Sequence, residues 1–297
     1  MRIAVTGATG FLGRYIINHL LRIGHSCRCW YRPSSDRGGF EDAPERLEWI
    51  DGGLADRQAG RALVRGADAV VHSALHHPGG GFRGGEGDLE EFVHKNVLGS
   101  IQLIREAREA GAGRFVFIST CAVHEVILED RPLDEAHPLW ATSHYGAHKA
   151  AIEKFVHSFG LGEGYDVCAL RPTGIYGQAR PIASSKWYGM VKSVAAGEPV
   201  RSASGGKEVH ADDVAKAVEI LLNAKNVAGQ AYNCYDMYIA EQDVAHIAKE
   251  ISGSDSEIGD LNEGPKHQIS TDKLRALGMT FGGRPLLEQT IRQLLDA

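Results

Sequence analysis

The chain has 297 residues, 43% hydrophobic and 24% charged, a balance that fits a folded globular protein with a large core and excludes a disordered chain. With 32 Lys and Arg against 38 Asp and Glu, the formal net charge of −6 argues against a nucleic-acid footprint built on excess cations and favours a small-molecule partner. Cysteines at 27, 29, 121, 168 and 234 are odd in number and scattered, so they read as reduced thiols. No run approaches the roughly 20 apolar residues of a membrane helix, and no basic segment precedes one, so a cytoplasmic protein with no membrane partner is expected.

In chain order, "RIAVTG" predicts a strand, "FLGRYIINHLLRIG" a helix ending at Gly24, and "SCRCWYR" a second strand. "RLEWID", "DAVVHSA", "RFVFIST" and "YDVCALRP" predict four more strands, with helices over about 56–65, 88–110 and 143–160. This alternation is the pattern of parallel βαβ units, so the expected fold is α/β, a doubly wound, Rossmann-like parallel sheet. Cys27 and Cys29 point to one face of their strand, and no second Cys or His pair at ligand spacing accompanies them, so they read as core packing.

After Pro172 the pattern loosens. One helix is expected within "GIYGQARPIASSKWYGMVKSVAAG". "KEVHADDVAKAVEILLNA" returns to strand and helix, "AYNCY" is a strand, and the chain from Ile239 reads as helical and polar. The expected organisation is a dinucleotide-binding domain over 1–173, with 205–235 returning to it, and a smaller, mostly helical C-terminal substrate lobe over 174–204 and 236–297. Ligands of open α/β sheets lie beyond the carboxyl ends of the strands, so the irregular half is expected to cap that crevice.

"TGATGFLG", residues 6 to 13, lies between the first strand and the first helix. Gly7 permits the tight turn, Gly10 lets the backbone approach a pyrophosphate, and Gly13 allows close helix packing. Amides at the helix start, beginning at Phe11 and Leu12, then face the phosphates. Its place in a βαβ series makes dinucleotide binding stronger than a plain glycine-rich turn. An acid closing the second strand would bond a ribose 2′-hydroxyl, but this chain has "YRPSSDR". Arg32, Ser34 and Ser35 suit a 2′-phosphate, which favours NADP over NAD. Arg32 stacking on adenine is the alternative, and Asp36 lies too far along to exclude NAD.

In "YGAHK", Tyr145 and Lys149 fall one helical turn apart on one face, although both ordinarily titrate at about pH 10. On its own the pair reads as an exposed pair on an amphipathic helix. His144 and His148 share the same spacing, and His72, His76 and His77 lie upstream, but no carboxylate motif such as HExxH accompanies them. They read as solvated or pocket-lining, and no metal is expected.

Taken together, "TGATGFLG", "VVHSA", "KNVLGS", "FVFISTCAVHE", "YGAHKAAIE", "LRPTGIYG" and "VHADDVAKAV", in this order, resemble the extended short-chain dehydrogenase/reductase family of the NAD-dependent epimerase/dehydratase type. The resemblance covers nearly the whole chain. It implies that Tyr145 donates or accepts a proton at a carbonyl or alcohol oxygen while a hydride moves to or from the nicotinamide. It implies that Lys149 stabilises the tyrosinate and bonds the nicotinamide ribose, and that Thr120 holds the substrate oxygen, with Ser119 as an auxiliary. Ala74, Leu54 and Pro172 fall at cofactor-contact positions. Asn96 is structural or part of a proton route, Arg171 a structural ion-pair member or a substrate ligand. His210, Asp212 and Asp213 mark a strand-to-helix junction in which Asp212 or Asp213 caps a helix. The family also implies a homodimer through a helix pair that includes the Tyr145 helix.

The sequence departs from the family pattern in three places. Gly53 stands where an aspartate often contacts adenine, leaving that bond to the Leu54 backbone or Asp51. Cys121 and Ala122 follow Thr120 where sugar-nucleotide dehydratases carry an acidic pair, which disfavours dehydration. Gly206 with Lys207, and Lys266 with His267, stand near the places of the arginines that clamp a nucleotide-sugar diphosphate; Arg83, Arg180 and Arg201 could approach from loops. Trp187 and Tyr188 read either as a stacking wall or as ordinary packing, and the glycine-rich "LHHPGGGFRGGEGDLEE" as a mobile substrate loop or a plain connection. The expected function is an NAD(P)-dependent oxidoreductase acting on a carbonyl or alcohol of a small or sugar-like substrate. A nucleotide-sugar epimerase with tightly held NAD and a non-catalytic dinucleotide-binding redox sensor are the alternatives.

Overall fold

A computed structural model describes residues 1–40, 44–79, 84–259 and 264–297. Two compact units divide the chain. The first contains Met1–Pro172, Val214–Cys234 and Ser270–Met279, the second Thr173–Asp213, Tyr235–Ile269 and Thr280–Ala297.

The first unit opens with β1 (Arg2–Thr6), α1 (Phe11–Arg22), β2 (Ser26–Tyr31), β3 (Leu47–Asp51), α2 (Arg57–Val64) and β4 (Ala69–His72). It continues with α3 (Leu89–Val93), α4 (Gly99–Glu109), β5 (Arg114–Ile118), α5 (His144–His157) and β6 (Val167–Pro172). The second unit holds β7 (Gly174–Tyr176), α6 (Tyr188–Ala195) and β8 (Gly205–His210). Helix α7 (Ala211–Asn223) begins there and runs on in the first unit, to which β9 (Gln230–Cys234) belongs. Strand β10 (Met237–Ala240) and α8 (Glu241–Ser252) are in the second unit, α9 (Asp272–Arg275) in the first and α10 (Gly283–Asp296) in the second.

Seven parallel strands form the sheet of the first unit, in the order β3-β2-β1-β4-β5-β6-β9. Helices cover it, and β4 and β6 are buried throughout, which is why these strands read as unbroken apolar runs and not as alternating ones. Val70, Phe115, Phe117 and Val167 of the strands pack with Leu63 of α2, Leu103 and Ile104 of α4, and Ile152 and Val156 of α5. Each such side chain contributes about 1.5–3 kcal/mol by leaving water. The chain runs outward from β1 to β2 and β3, then resumes on the other side of β1 with β4. The strand order therefore reverses between the carboxyl ends of β1 and β4, where doubly wound folds bind ligands.

The helix expected over 88–110 is interrupted. A π turn over His94–Leu98 separates α3 from α4 and carries Asn96, whose amide bonds the Phe92 carbonyl at 3.0 Å. Such turns are frequent at functional sites. The second unit contains a three-stranded sheet, β10-β8-β7, with β8 parallel to β7 and antiparallel to β10. Val191 and Val194 of α6, Ile247 of α8, and Leu287 and Ile291 of α10 form its core. Here the structure differs from the expected boundaries. Residues 205–210 pair with β7 and β10 instead of returning to the large sheet, and Met237–Ala240 is a strand where the helical reading began at Ile239. Residues 270–279 join the first unit because Lys273 of α9 donates to the Gln230 side chain at 2.7 Å and the Ala231 carbonyl at 2.9 Å on β9.

Candidate active site

At the reversal point the glycine turn is fixed by sterics. Gly7 has a φ of +71°, and a Cβ there would lie 2.8 Å from the Ala74 nitrogen that follows β4. A Cβ on Gly13 would come within 2.1 Å of the Gly7 carbonyl, so α1 can start this close to β1 only with glycine at that position. Gly10 donates to the Gly7 carbonyl at 3.0 Å and precedes Phe11 and Leu12 at the start of α1. No side chain caps this helix and no acid occupies its first turn, so its positive end fits a pyrophosphate.

A buried chain of hydrogen bonds braces the turn. Thr6 Oγ1 accepts from the Ala74 N–H at 3.1 Å and meets His72 Nδ1 at 2.7 Å; His72 Nε2 meets Ser100 Oγ at 2.8 Å, and Ser100 donates to the Asn96 carbonyl. The last bond uses the serine proton, so Nε2 carries the imidazole hydrogen and Nδ1 accepts from Thr6. Burial, with the Lys149 charge, pushes the His72 pKa down to about 3, which keeps this order intact at neutral pH. Asn96 accepts from the His76 N–H at 2.8 Å and donates to its carbonyl at 2.9 Å, so its amide ties the loop after β4 to α3, whose Phe92 carbonyl it also bonds.

Beyond β2, Arg32 is exposed and forms no ion pair among the described residues. Its N–H donates to Ser35 Oγ at 3.0 Å, and its carbonyl accepts from the Ser35 N–H at 2.7 Å. Asp36 is engaged elsewhere: its carboxylate accepts from the Gly38 N–H at 2.8 Å and from Arg14 at 3.3 Å. Gly53 has open space where a Cβ would project, and Leu54 packs partly buried against the core.

Thr120 follows β5 in extended backbone and is buried, its Oγ1 accepting from the Ala122 N–H at 3.1 Å. Tyr145 lies in the first turn of α5. Burial raises its phenol pKa, and a hydrogen bond with Thr120 draws it back down. One turn on, the buried Lys149 donates to the Ile118 carbonyl at 2.7 Å and stands 4.7 Å from the Phe117 ring centroid. Burial lowers its pKa to about 7, against the opposing pull of Glu153. The structure thus brings Thr120, Tyr145 and Lys149 to the carboxyl end of β5, and the side chain that tunes the phenol is Thr120.

Among the neighbours, Ser119 departs from expectation. Ser119 donates to Glu153 and is not aimed at Tyr145. Glu153, four residues beyond Lys149 and fully buried, accepts from Arg171 at 2.6, 3.0 and 3.1 Å, so Arg171 is a structural ion-pair member. Arg171 also donates to His124 Nε2 at 3.2 Å. Sequence reasoning passed over Glu153, though an acid on the apolar face of the helix, one turn past the lysine, is a readable signal. His144 is exposed, while His148 is buried between Phe92 and Tyr145, with ring centroids 4.9 and 5.3 Å away. Cys121 is committed to the Arg171 carbonyl at 3.0 Å, and burial raises its pKa to about 12, so it supplies no acid beside Thr120. Pro172 closes β6.

Within the second unit, Asp213 caps a helix other than its own. It accepts from the Gly282 N–H at 2.9 Å while Asp236 accepts from the Gly283 N–H at 2.9 Å, so the two acids hold the start of α10. Trp187 packs on Tyr176 with centroids 5.3 Å apart, as part of that unit's core. Arg83 and part of the glycine-rich loop lie outside the described residues. Among the described residues no three His, Cys, Asp or Glu side chains converge as a metal site, and no helix is long and apolar enough to cross a membrane.

Comparison with known proteins covers most of the chain. A 3β-hydroxysteroid dehydrogenase/Δ5→4-isomerase of Mycobacterium tuberculosis is 29% identical over 185 residues, which are 59% of this chain and 47% of that protein. A dTDP-glucose 4,6-dehydratase of Streptomyces antibioticus is 32% identical over 197 residues, 60% of this chain and 54% of that protein. The chain thus spans about half the length of these curated relatives. The crystal structure of the Thermus thermophilus UDP-glucose 4-epimerase in complex with NAD shares the fold, with a TM-score of 0.77 at 23% identity over 100% of this chain and 98% of that one. Residues 3–234, from β1 through β9, match the sequence model of the NAD dependent epimerase/dehydratase family, and the chain is a member of that family.

Proposed function

We propose that the protein is an NAD(P)-dependent oxidoreductase that interconverts a carbonyl and an alcohol on a small or sugar-like substrate. The observation that carries the reading is the half-buried Tyr145 phenol hydrogen-bonded to Thr120, with the buried Lys149 one turn away, beside a glycine turn shaped for a pyrophosphate. When bound, the nicotinamide supplies or accepts the hydride. Tyr145 gives the balancing proton to the carbonyl oxygen in reduction and takes it back in oxidation. Thr120 orients that oxygen, and its hydroxyl stabilises the phenolate left behind. Lys149 holds the nicotinamide ribose and adds positive charge. Cys121 and Ala122 after Thr120 give this site no acid and base for dehydration. Screening carbonyls, alcohols and nucleotide sugars with both cofactors tests the reading; net cofactor oxidation supports it, and sugar inversion with no net change in cofactor redox state supports an epimerase instead.

NADP is the favoured cofactor. Among the described residues Arg32, just past β2, forms no ion pair, and Asp36 is held by Arg14 and Gly38. Arg32→Asp is expected to weaken NADPH binding by about tenfold or more and to favour NADH, as loss of a charged hydrogen bond implies. Fluorescence titration of both nucleotides checks this; unchanged selectivity removes Arg32 from the role.

The Lys149 pKa of about 7 gives a pH signature. Below it the side chain is charged and the anionic cofactor binds at full strength. As pH rises past it, affinity falls by up to about tenfold per pH unit, until the pKa of the bound form is passed. Lys149→Ala is expected to bind weakly at all pH values with this slope removed; an identical slope in the variant contradicts the contact.

A further inference from the structure

We propose that Glu125 is a positioning residue whose carboxylate latches the start of α5 to the turn after Thr120 and thereby sets the Thr120–Tyr145 hydrogen bond. The inference rests on the role proposed for Tyr145. A 3₁₀ turn over Cys121–His124 follows Thr120, and Glu125 comes next. Its Oε2 accepts from the Ser143 N–H at 2.7 Å, from the Thr142 hydroxyl at 3.0 Å and from the Thr142 N–H, while Oε1 accepts from the Ser143 hydroxyl at 2.8 Å. Four donors therefore converge on one carboxylate from the two residues ahead of α5.

The proton directions are forced. Ser143 gives its hydroxyl hydrogen to Glu125, so the same oxygen accepts the Gly146 N–H at 3.0 Å as the cap of α5. Tyr145 lies inside this capped turn. The two segments are pressed together: a Cβ on Gly146 would lie 2.6 Å from the Ala122 carbonyl and 2.8 Å from Ala141 Cβ. A second tie runs from the Val126 N–H to the Trp140 carbonyl at 3.0 Å. Burial raises the Glu125 pKa, but hydrogen bonds from Ser143 and Thr142 outweigh it and leave the group below its ordinary value, so it is ionised at neutral pH. Glutamine is a poorer replacement, because it carries no charge and its amide nitrogen can only donate, which reverses the bond to the Ser143 hydroxyl. A carboxylate here also complements the positive end of the helix.

The test is an NMR pH titration of the full chain isotope-labelled at tyrosine Cζ, with the Tyr145 signal assigned by its loss in Tyr145→Phe. In Glu125→Gln, Tyr145 is expected to titrate at higher pH than in the parent, because the Thr120 bond that draws the phenol down is loosened. On a substrate from the screen, kcat is expected to fall on the order of 100-fold with cofactor affinity unchanged, as for displacement of a reacting group. Ser143→Ala, which leaves the carboxylate in place, is expected to shift the same signal by less, and it decides the matter if Glu125→Gln does not fold. A Tyr145 titration unchanged in the folded variant overturns the latch. Because the titration needs no turnover, it separates this outcome from failure of the functional reading, which would appear as activity retained by Tyr145→Phe.

Discussion

Tyr145→Phe is expected to lower kcat by about 10²–10⁴-fold, the usual contribution of a positioned acid or base, while cofactor affinity stays close to the parent's. The reasoning is local. The variant keeps the ring, and with it the contact to His148 at 5.3 Å and the packing of the first turn of α5, and loses only the hydroxyl bonded to Thr120. Lys149 keeps its bond to the Ile118 carbonyl, so the cofactor contact proposed for it is undisturbed. Initial rates alongside a nucleotide titration check both halves. Parent-like turnover would mean that another group carries the proton, and a collapse in cofactor affinity would mean that the phenol is a binding group.

The second large effect is on stability. Glu153→Ala leaves the Arg171 guanidinium buried without its partner, and the expected cost is about 3–5 kcal/mol of unfolding free energy. Glu153 takes three hydrogen bonds from Arg171 and one from Ser119, so truncation orphans donors on both β6 and the end of β5. It also removes a charge that raises the Lys149 pKa, which is then expected to fall below about 7. Denaturant unfolding measures the first consequence and the pH dependence of cofactor binding the second. A loss under 1 kcal/mol, on the order of an exposed pair, would show that water replaces the missing carboxylate.

How far these residues could be read from sequence depends on how local their chemistry is. The large sheet was legible because parallel strands covered on both faces are continuous apolar runs, and "TGATGFLG" because its geometry is set within eight residues. Gly7 and Gly13 have steric reasons to be glycine that the motif alone states. Strands β7 and β10, of three and four residues, were missed because so short a run carries no period, and their pairing with β8 is set by distant chain. The π turn at Asn96 leaves no mark on a helical pattern. Glu153 was half legible from its helical spacing to Lys149, but its partner Arg171 arrives from β6. Glu125 was not legible at all, because only folding brings it against Thr142 and Ser143, 17 and 18 positions along the chain.

The central claim is that the turn after β1 and the Lys149 end of α5 hold a pyridine nucleotide beside Tyr145. It is tested most directly by titrating the purified chain with NADPH and NADH and following nicotinamide fluorescence. Saturable binding of one nucleotide per chain, tighter for NADPH, retained in Tyr145→Phe and weakened in Lys149→Ala, is the expected result. Absence of saturable binding for both nucleotides in the parent would contradict it.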